Sequence, residues 1–113
     1  MTPGQSANIA RFNALAATHG EPVTRGALTV SLALIDRAAK HGRIDKVSYK
    51  DGKMDFDLLA MSKIEILFSD IPAGTAIPAA GDCWLDTVGT RHRVQYVGQT
   101  NVSFELFCKT SRV

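Results

Sequence analysis

Apolar side chains recur at every second position in several separate segments of this chain, and this pattern constrains the fold more than any other feature. The clearest example is the segment 27–36. Successive side chains of a β-strand point to opposite faces, so the spacing predicts a half-buried strand here. The apolar face of this strand would carry Leu28, Val30, Leu32 and Leu34.

The same alternation returns over 56–109, where Pro- and Gly-rich turns separate further predicted strands. Residues 6–19 differ because their apolar side chains recur at helical spacing, with Ser6 suited to cap the start and Gly20 to end it. These segments predict one domain, 1–113, of the mainly β class. We expect a small antiparallel β-barrel or sandwich with an N-terminal helix and a long flexible loop.

That loop, 37–55, is the most unusual segment, since connections of this length inside a domain are usually functional or disordered. Its Asp51-Gly52 step favours a small hairpin tip. Six of the 13 Lys and Arg residues lie in it. Two interpretations remain open: a solvated loop partly balanced by aspartates, or an arm that orders on assembly or lies near a phosphate backbone. The candidate residues for an assembly or DNA-channel role are Arg37, Lys40, Arg43, Lys46, Tyr49, Lys50 and Lys53.

Residue types that catalyse reactions or bind metals occur without the spacing that such chemistry needs. The three histidines, His19, His41 and His92, belong to separate segments, and there is no Cys-x-x-Cys or His-x-x-x-His pair. Ser62 and Cys83 lack the context of a nucleophile elbow, and no Gly-rich phosphate loop is present. We therefore expect no enzyme, no metal and no cofactor.

Three further residues are interpreted structurally. Trp84, at the start of a predicted strand, is expected to anchor the core rather than to form an interface hot spot. Cys83 and Cys108 both fall in predicted strands, and we expect free, mostly buried thiols instead of a disulfide.

The net charge and the hydropathy of the chain bear on whether its partner is a nucleic acid or a membrane. The net charge of +2 is too small to indicate a nucleic-acid binder by itself. No apolar run approaches the roughly 20 residues that span a bilayer. The first residues also lack the basic-then-apolar layout of a signal peptide. We expect synthesis in the cytoplasm and no membrane partner.

Five short motifs follow one another along nearly the whole chain: Gly20-Glu21-Pro22-Val23, Leu34-Ile35-Asp36-Arg37, Ser69-Asp70-Ile71-Pro72, Ala80-Gly81-Asp82 and Arg93-Val94-Gln95-Tyr96-Val97. Their order resembles that of the head–tail joining proteins of lambda-like tailed phages. In that family an N-terminal helix leads to an extended segment, a strand, a long variable loop, a corner and a terminal pair of strands. One position departs from the pattern, because His92 stands where such proteins often have tyrosine.

The resemblance implies a structural β-barrel protein that assembles into a ring, hexameric or dodecameric, at the phage neck. Such a head-completion, stopper or connector ring closes the DNA-filled head and docks the tail. Its partners would be portal or adaptor proteins on the head side, a tail terminator or tail tube on the tail side, and DNA in the channel, contacted without sequence specificity. The protein would act in the host cytoplasm during assembly and remain in the virion afterwards.

Two alternatives stay open. One is a tail terminator or another ring component of the neck. The other is a small β-barrel module that binds nucleic acid, for which the basic loop would supply a salt-dependent attraction.

Overall fold

A computed structural model describes residues 2–37, 49–50, 53–54 and 61–112. Its helix and strands, in chain order, are α1 (Pro3–His19), β1 (Glu21–Arg25), β2 (Leu28–Asp36), β3 (Tyr49–Lys50), β4 (Lys53–Met54), β5 (Met61–Leu67), β6 (Cys83–Leu85), β7 (Thr90–Gln99) and β8 (Ser103–Arg112). A single turn of 3-10 helix, Phe68–Asp70, follows β5.

Six of the strands close into an antiparallel barrel in the order β1-β2-β5-β8-β7-β6. Pairing of β6 with β1, at Thr24 and Leu85, completes the circle. The prediction of a mainly β protein with an N-terminal helix is confirmed, and of the two arrangements considered the barrel is the one observed. Each of these strands therefore has a partner strand on both sides, and none is a terminal edge strand, which would be a site for uncontrolled pairing.

The barrel interior is filled by apolar side chains from all six strands. Trp84 has no accessible surface, so its predicted role as a core anchor is confirmed. The prediction for the cysteines is wrong for one of the two: Cys108 is buried, whereas Cys83 is exposed. Neighbouring side chains on a strand alternate in direction, so Cys83 must point outward where Trp84 points inward. The core consists of Val23, Val30, Ala33, Ile64, Ile66, Trp84, Val94, Phe104, Leu106 and Cys108.

The faces of β2 differ from the simple alternation that the sequence suggests. Val30 and Ala33 are the buried residues of this strand, and Leu32, predicted to lie inside, is 49% exposed. From the pair Val23–Val30 to the pair Glu21–Ala33, β1 advances by two residues and β2 by three. The extra residue is a β-bulge, which moves the side chains that follow it to the opposite face.

Helix α1 begins at Pro3, and the predicted start at Ser6 is wrong. Thr2 is the N-cap: its hydroxyl accepts the backbone N–H of Gln5 at 3.1 Å, and the Gln5 side chain accepts the backbone N–H of Thr2 at 2.9 Å. This reciprocal capping box, followed by proline in the first turn, starts the helix at Pro3, four residues before Ala7, where a cap at Ser6 would start it. The helix ends before Gly20 as predicted, and a Cβ there would come within 2.5 Å of a carbonyl oxygen.

The helix packs on the outside of the barrel over β2 and β5. Phe12 is buried against Leu67. The carboxylate of Glu65 also connects the helix to the barrel. Glu65, on the covered side of β5, accepts hydrogen bonds from Ser103 Oγ at 2.7 Å and Arg11 Nη2 at 3.3 Å. Burial of an unpaired carboxylate would reduce the free energy of unfolding. These two hydrogen bonds satisfy Glu65 and connect the helix to β5 and β8.

Strands β2 and β5 pair directly with each other although a long segment separates them along the chain. Asp36 lies opposite Lys63 at the end of the barrel where β2 ends and β5 begins. The barrel therefore closes without a strand from 38–60. Within that segment β3 and β4 form a two-stranded sheet of their own, in which Tyr49 lies opposite Met54. This pairing agrees with the predicted hairpin, whose tip at Asp51-Gly52 lies outside the described residues.

Candidate functional site

A cluster of charged and polar side chains occupies the end of the barrel where β2 ends and β5 begins, with Asp86 at its centre. Asp86 Oδ1 accepts the backbone N–H groups of Val88 at 3.0 Å and Thr90 at 2.9 Å, so the turn between β6 and β7 folds around the carboxylate. Oδ2 accepts hydrogen bonds from Arg37 Nη2 at 3.0 Å and from His92 Nε2 at 2.8 Å. Burial raises the pKa of Asp86, but these hydrogen bonds outweigh it and hold the pKa at about 2. Asp86 is therefore ionised at neutral pH.

Arg37 connects this carboxylate to Glu21, the first residue of β1. Its Nη1 donates to Glu21 Oε2 at 2.9 Å, and its Nη2 donates both to the other oxygen of Glu21 and to Asp86. The hydrogen bond to Glu21 is the largest cause that raises the pKa of Arg37. A guanidinium matches a carboxylate with two parallel bonds, which fixes direction as well as charge. Arg37 thus joins the start of β1, the end of β2 and the turn after β6.

On its inner side the cluster continues through His92 to Ser62. His92 Nδ1 lies 2.6 Å from Ser62 Oγ. Because the Asp86 carboxylate can only accept, Nε2 of His92 is the donor to it, and in the tautomer that carries its proton on Nε2 the other ring nitrogen, Nδ1, accepts from the Ser62 hydroxyl. Cys108 is opposite Ser62 on β8; burial raises the pKa of its thiol to about 12, and a hydrogen bond with Ser62 opposes that shift.

Serine, histidine and aspartate are the residue types of a hydrolytic triad, but their position here does not suit that chemistry. Ser62 and His92 are 0% exposed, and the Asp86 side chain is equally inaccessible. No substrate atom can reach Ser62 Oγ in this arrangement, whereas a nucleophile must contact the group that it attacks. The cluster instead satisfies polar groups that the barrel buries, which favours one defined arrangement of its strands. In the part of the chain that the structure describes, no three His, Cys, Asp or Glu side chains form a metal-binding group.

The seven candidate residues from the basic loop are placed differently from one another. Arg37 is bound within the cluster, so its charge is balanced by Glu21 and Asp86. Three candidates are located by their backbone on β3 and β4: Tyr49, Lys50 and Lys53. The three that lie outside the described residues are Lys40, Arg43 and Lys46.

Sequence reasoning missed the buried polar cluster. A signal for it exists, because His92 precedes Val94 by two residues on β7 and Ser62 precedes Ile64 by two on β5. A polar residue two positions away from an inward-facing apolar residue on the same strand is expected to point inward as well. Asp86 gave no such signal, since it follows the last residue of β6 and its partners come from separate parts of the chain.

Comparison with known proteins found no match for this chain among protein-family models, curated proteins or solved structures. Among the described residues, no helix combines the length and the apolar character that crossing a membrane requires.

Proposed function

We propose that this chain is a structural subunit of the tailed-phage neck, a head–tail connector or stopper ring that closes the DNA-filled head and docks the tail. The motif order that resembles head–tail joining proteins occurs together with the architecture that the resemblance implies, a small barrel with an N-terminal helix and a long insertion. On this proposal the protein is no enzyme and binds no cofactor. It acts in the host cytoplasm during assembly and afterwards at the head–tail interface of the virion.

The observation that carries the proposal is the position of the insertion 38–60. β2 and β5 pair with each other on either side of it, so the barrel is complete without it. At the point of departure Arg37 is held by Glu21 and Asp86. Binding residues are often carried by loops that a rigid scaffold positions. In a neck ring it would reach portal, adaptor or tail proteins and bring its basic residues near DNA in the channel.

A tail terminator or another ring component of the neck would use the same barrel and the same insertion, so it remains the second candidate. A nucleic-acid-binding module is favoured by a different observation. Arg91 and Arg93 are both exposed on β7, and neither forms an ion pair among the described residues. Such a module would bind DNA in isolation, and its affinity would fall steeply as the salt concentration rises.

The test is electron microscopy of particles from a producer that lacks this gene. We expect filled or leaking heads beside separate, complete tails, and we expect joined particles when the full chain is supplied. A variant with 38–60 replaced by a short glycine–serine linker should fold but fail to restore joining. A second variant, with Lys40, Arg43 and Lys46 changed to glutamine, keeps the length of the insertion and so separates the effect of its charge from that of its presence.

Other results would redirect the proposal. Joined particles without the gene would contradict any role in the neck, and salt-sensitive DNA binding by the purified chain would then favour the nucleic-acid module. Tails of irregular length would favour the terminator over the stopper. Full restoration by the linker variant would show that the insertion is not the docking element.

A further inference from the structure

Two surfaces on opposite sides of the barrel carry exposed apolar side chains and unbalanced charge. β2 and β7 are three places apart in the closed order of six strands, so they lie across the barrel from each other. Helix α1 covers the side formed by β2 and β5. No helix of the described residues covers the side formed by β6 and β7.

The first surface, which we name the β6–β7 face, is apolar and positively charged. Leu85 is 38% exposed and Val88, in the following turn, is 71% exposed. Arg91 lies opposite Leu85 and Arg93 lies opposite Cys83, which places the two arginines beside the apolar residues. No acidic side chain pairs with either arginine in the described part of the chain.

The second surface is the α1–β2 groove, a depression of about 460 Å³ between the helix and the outer side of β2. Leu32, which the β-bulge turns outward, is 49% exposed in its wall. Asp70 also lines the groove, half-buried, and no cation of the described residues pairs with it. Burial raises the pKa of Asp70, because the groove supplies no counter-ion to offset the loss of water.

Charge distinguishes the pairings that two copies of the chain could form. Two β6–β7 faces in contact would bring arginines from both copies together, and like charges across an interface oppose association. A β6–β7 face against an α1–β2 groove would instead bring Arg91 or Arg93 to Asp70 and cover Leu32 with the apolar residues of the face. Each copy would then keep one free surface, so further copies could add until a ring closes or a filament forms.

We propose that copies of this chain associate head to tail, with the β6–β7 face of one copy seated in the α1–β2 groove of the next. This inference rests on the proposed neck function, for which it names the contact between ring subunits.

Cross-linking tests the geometry, because Cys83 is an exposed thiol on the β6–β7 face and Cys108 is buried. The variant Asn13→Cys adds one thiol in the α1–β2 groove. Treated with a flexible bismaleimide, this variant should give a ladder of dimers, trimers and larger species, since every copy carries one thiol on each surface. The same variant with Cys83→Ser should lose the ladder. Dimers alone, or no cross-linked species at a concentration where the chain self-associates, would overturn the head-to-tail contact.

Charge reversal tests the pairing of the arginines with Asp70. The variants Arg91→Glu/Arg93→Glu and Asp70→Lys should each weaken self-association by at least about tenfold in sedimentation experiments at low salt. The chain that carries all three changes should recover association, because the charges are exchanged. The control Arg91→Lys/Arg93→Lys keeps the charge and should associate like the wild-type chain. Circular dichroism and Trp84 fluorescence would verify that every variant is folded.

The two proposals can fail separately. A chain that stays monomeric at every accessible concentration, or whose association ignores the charge reversals, would overturn the head-to-tail contact. Unjoined heads and tails in the gene-deletion particles would still support the neck function in that case. Conversely, the chain could give a cross-linking ladder while deletion of its gene leaves joined particles intact. That result would support the head-to-tail contact and contradict the neck function.

Discussion

Replacement of Asp86 is the sharpest perturbation that the structure suggests, because one side chain links the β6–β7 turn, Arg37 and His92. Asp86→Ala removes the acceptor for all of them and leaves a buried imidazole N–H without its partner. Breaking a buried charged cluster by removing one member costs about 3–5 kcal/mol. A small domain has about 5–15 kcal/mol of stability in total. We therefore expect Asp86→Ala to be barely folded, and the milder Asp86→Asn is the variant to measure.

The pKa of Asp86 sets the magnitude for Asp86→Asn. Its pKa is about 2 in the folded chain against an ordinary value of 3.8. A difference of nearly two units corresponds to about 2 kcal/mol of stability. Because the folded pKa is the lower one, this contribution is complete above the unfolded pKa and is lost as the pH falls from about 4 through about 2. The carboxamide cannot titrate, so the variant lacks this dependence.

Urea denaturation followed by the fluorescence of Trp84, the only tryptophan of the chain, measures both quantities. At pH 7 Asp86→Asn should unfold with about 2 kcal/mol less free energy than the wild type, and the gap should narrow as the pH approaches 2. Asp82→Asn is the matched control, since Asp82 pairs with Arg25 nearer the surface and should cost about 1 kcal/mol or less. A gap that stays constant with pH, or one no larger than that of the control, would refute the reasoning.

Three further predictions concern the helix, the thiols and the insertion. Phe12→Ala should lower the free energy of unfolding by about 3–4 kcal/mol in urea titrations, because Phe12 is 1% exposed between helix and barrel; a loss below 1 kcal/mol would contradict this packing. In the native chain a thiol reagent should modify Cys83 alone, and Cys108 should react only after unfolding, since burial raises its pKa to about 12; two reactive thiols in the native chain would disagree. Replacing 38–60 with a short linker should change stability by only about 1 kcal/mol, because loop length contributes weakly; loss of the native Trp84 emission would argue against an independent barrel.

Much of the local structure could be predicted from the sequence. The spacing of Leu28 and Val30, and of Ile64 and Ile66, indicates strands, and the helical spacing within 6–19 indicates the helix. These patterns depend on near neighbours in the chain, and the same is true of the pairing of β3 with β4. The error at the start of α1 was also local, because Thr2 and Gln5 together form a stronger cap than Ser6.

The candidate site could be predicted only in part. The sequence showed a basic insertion beginning at Arg37, but it did not show that Arg37 is bound to Glu21 and Asp86. Those partners lie 16 and 49 residues away along the chain. Sequence spacing carries no information on such contacts until the order of the strands is known.

The sequence by itself thus determined that this chain forms a helix and a series of alternating strands around one long basic insertion, since periodicity and turn residues act over a few positions. Only the tertiary structure decided that the strands close into a barrel, that a bulge turns Leu32 outward, and that His92, Ser62 and Asp86 meet inside it. The physical reason is register. A one-residue shift between paired strands exchanges the inward and outward faces, and that shift is set by packing against distant strands.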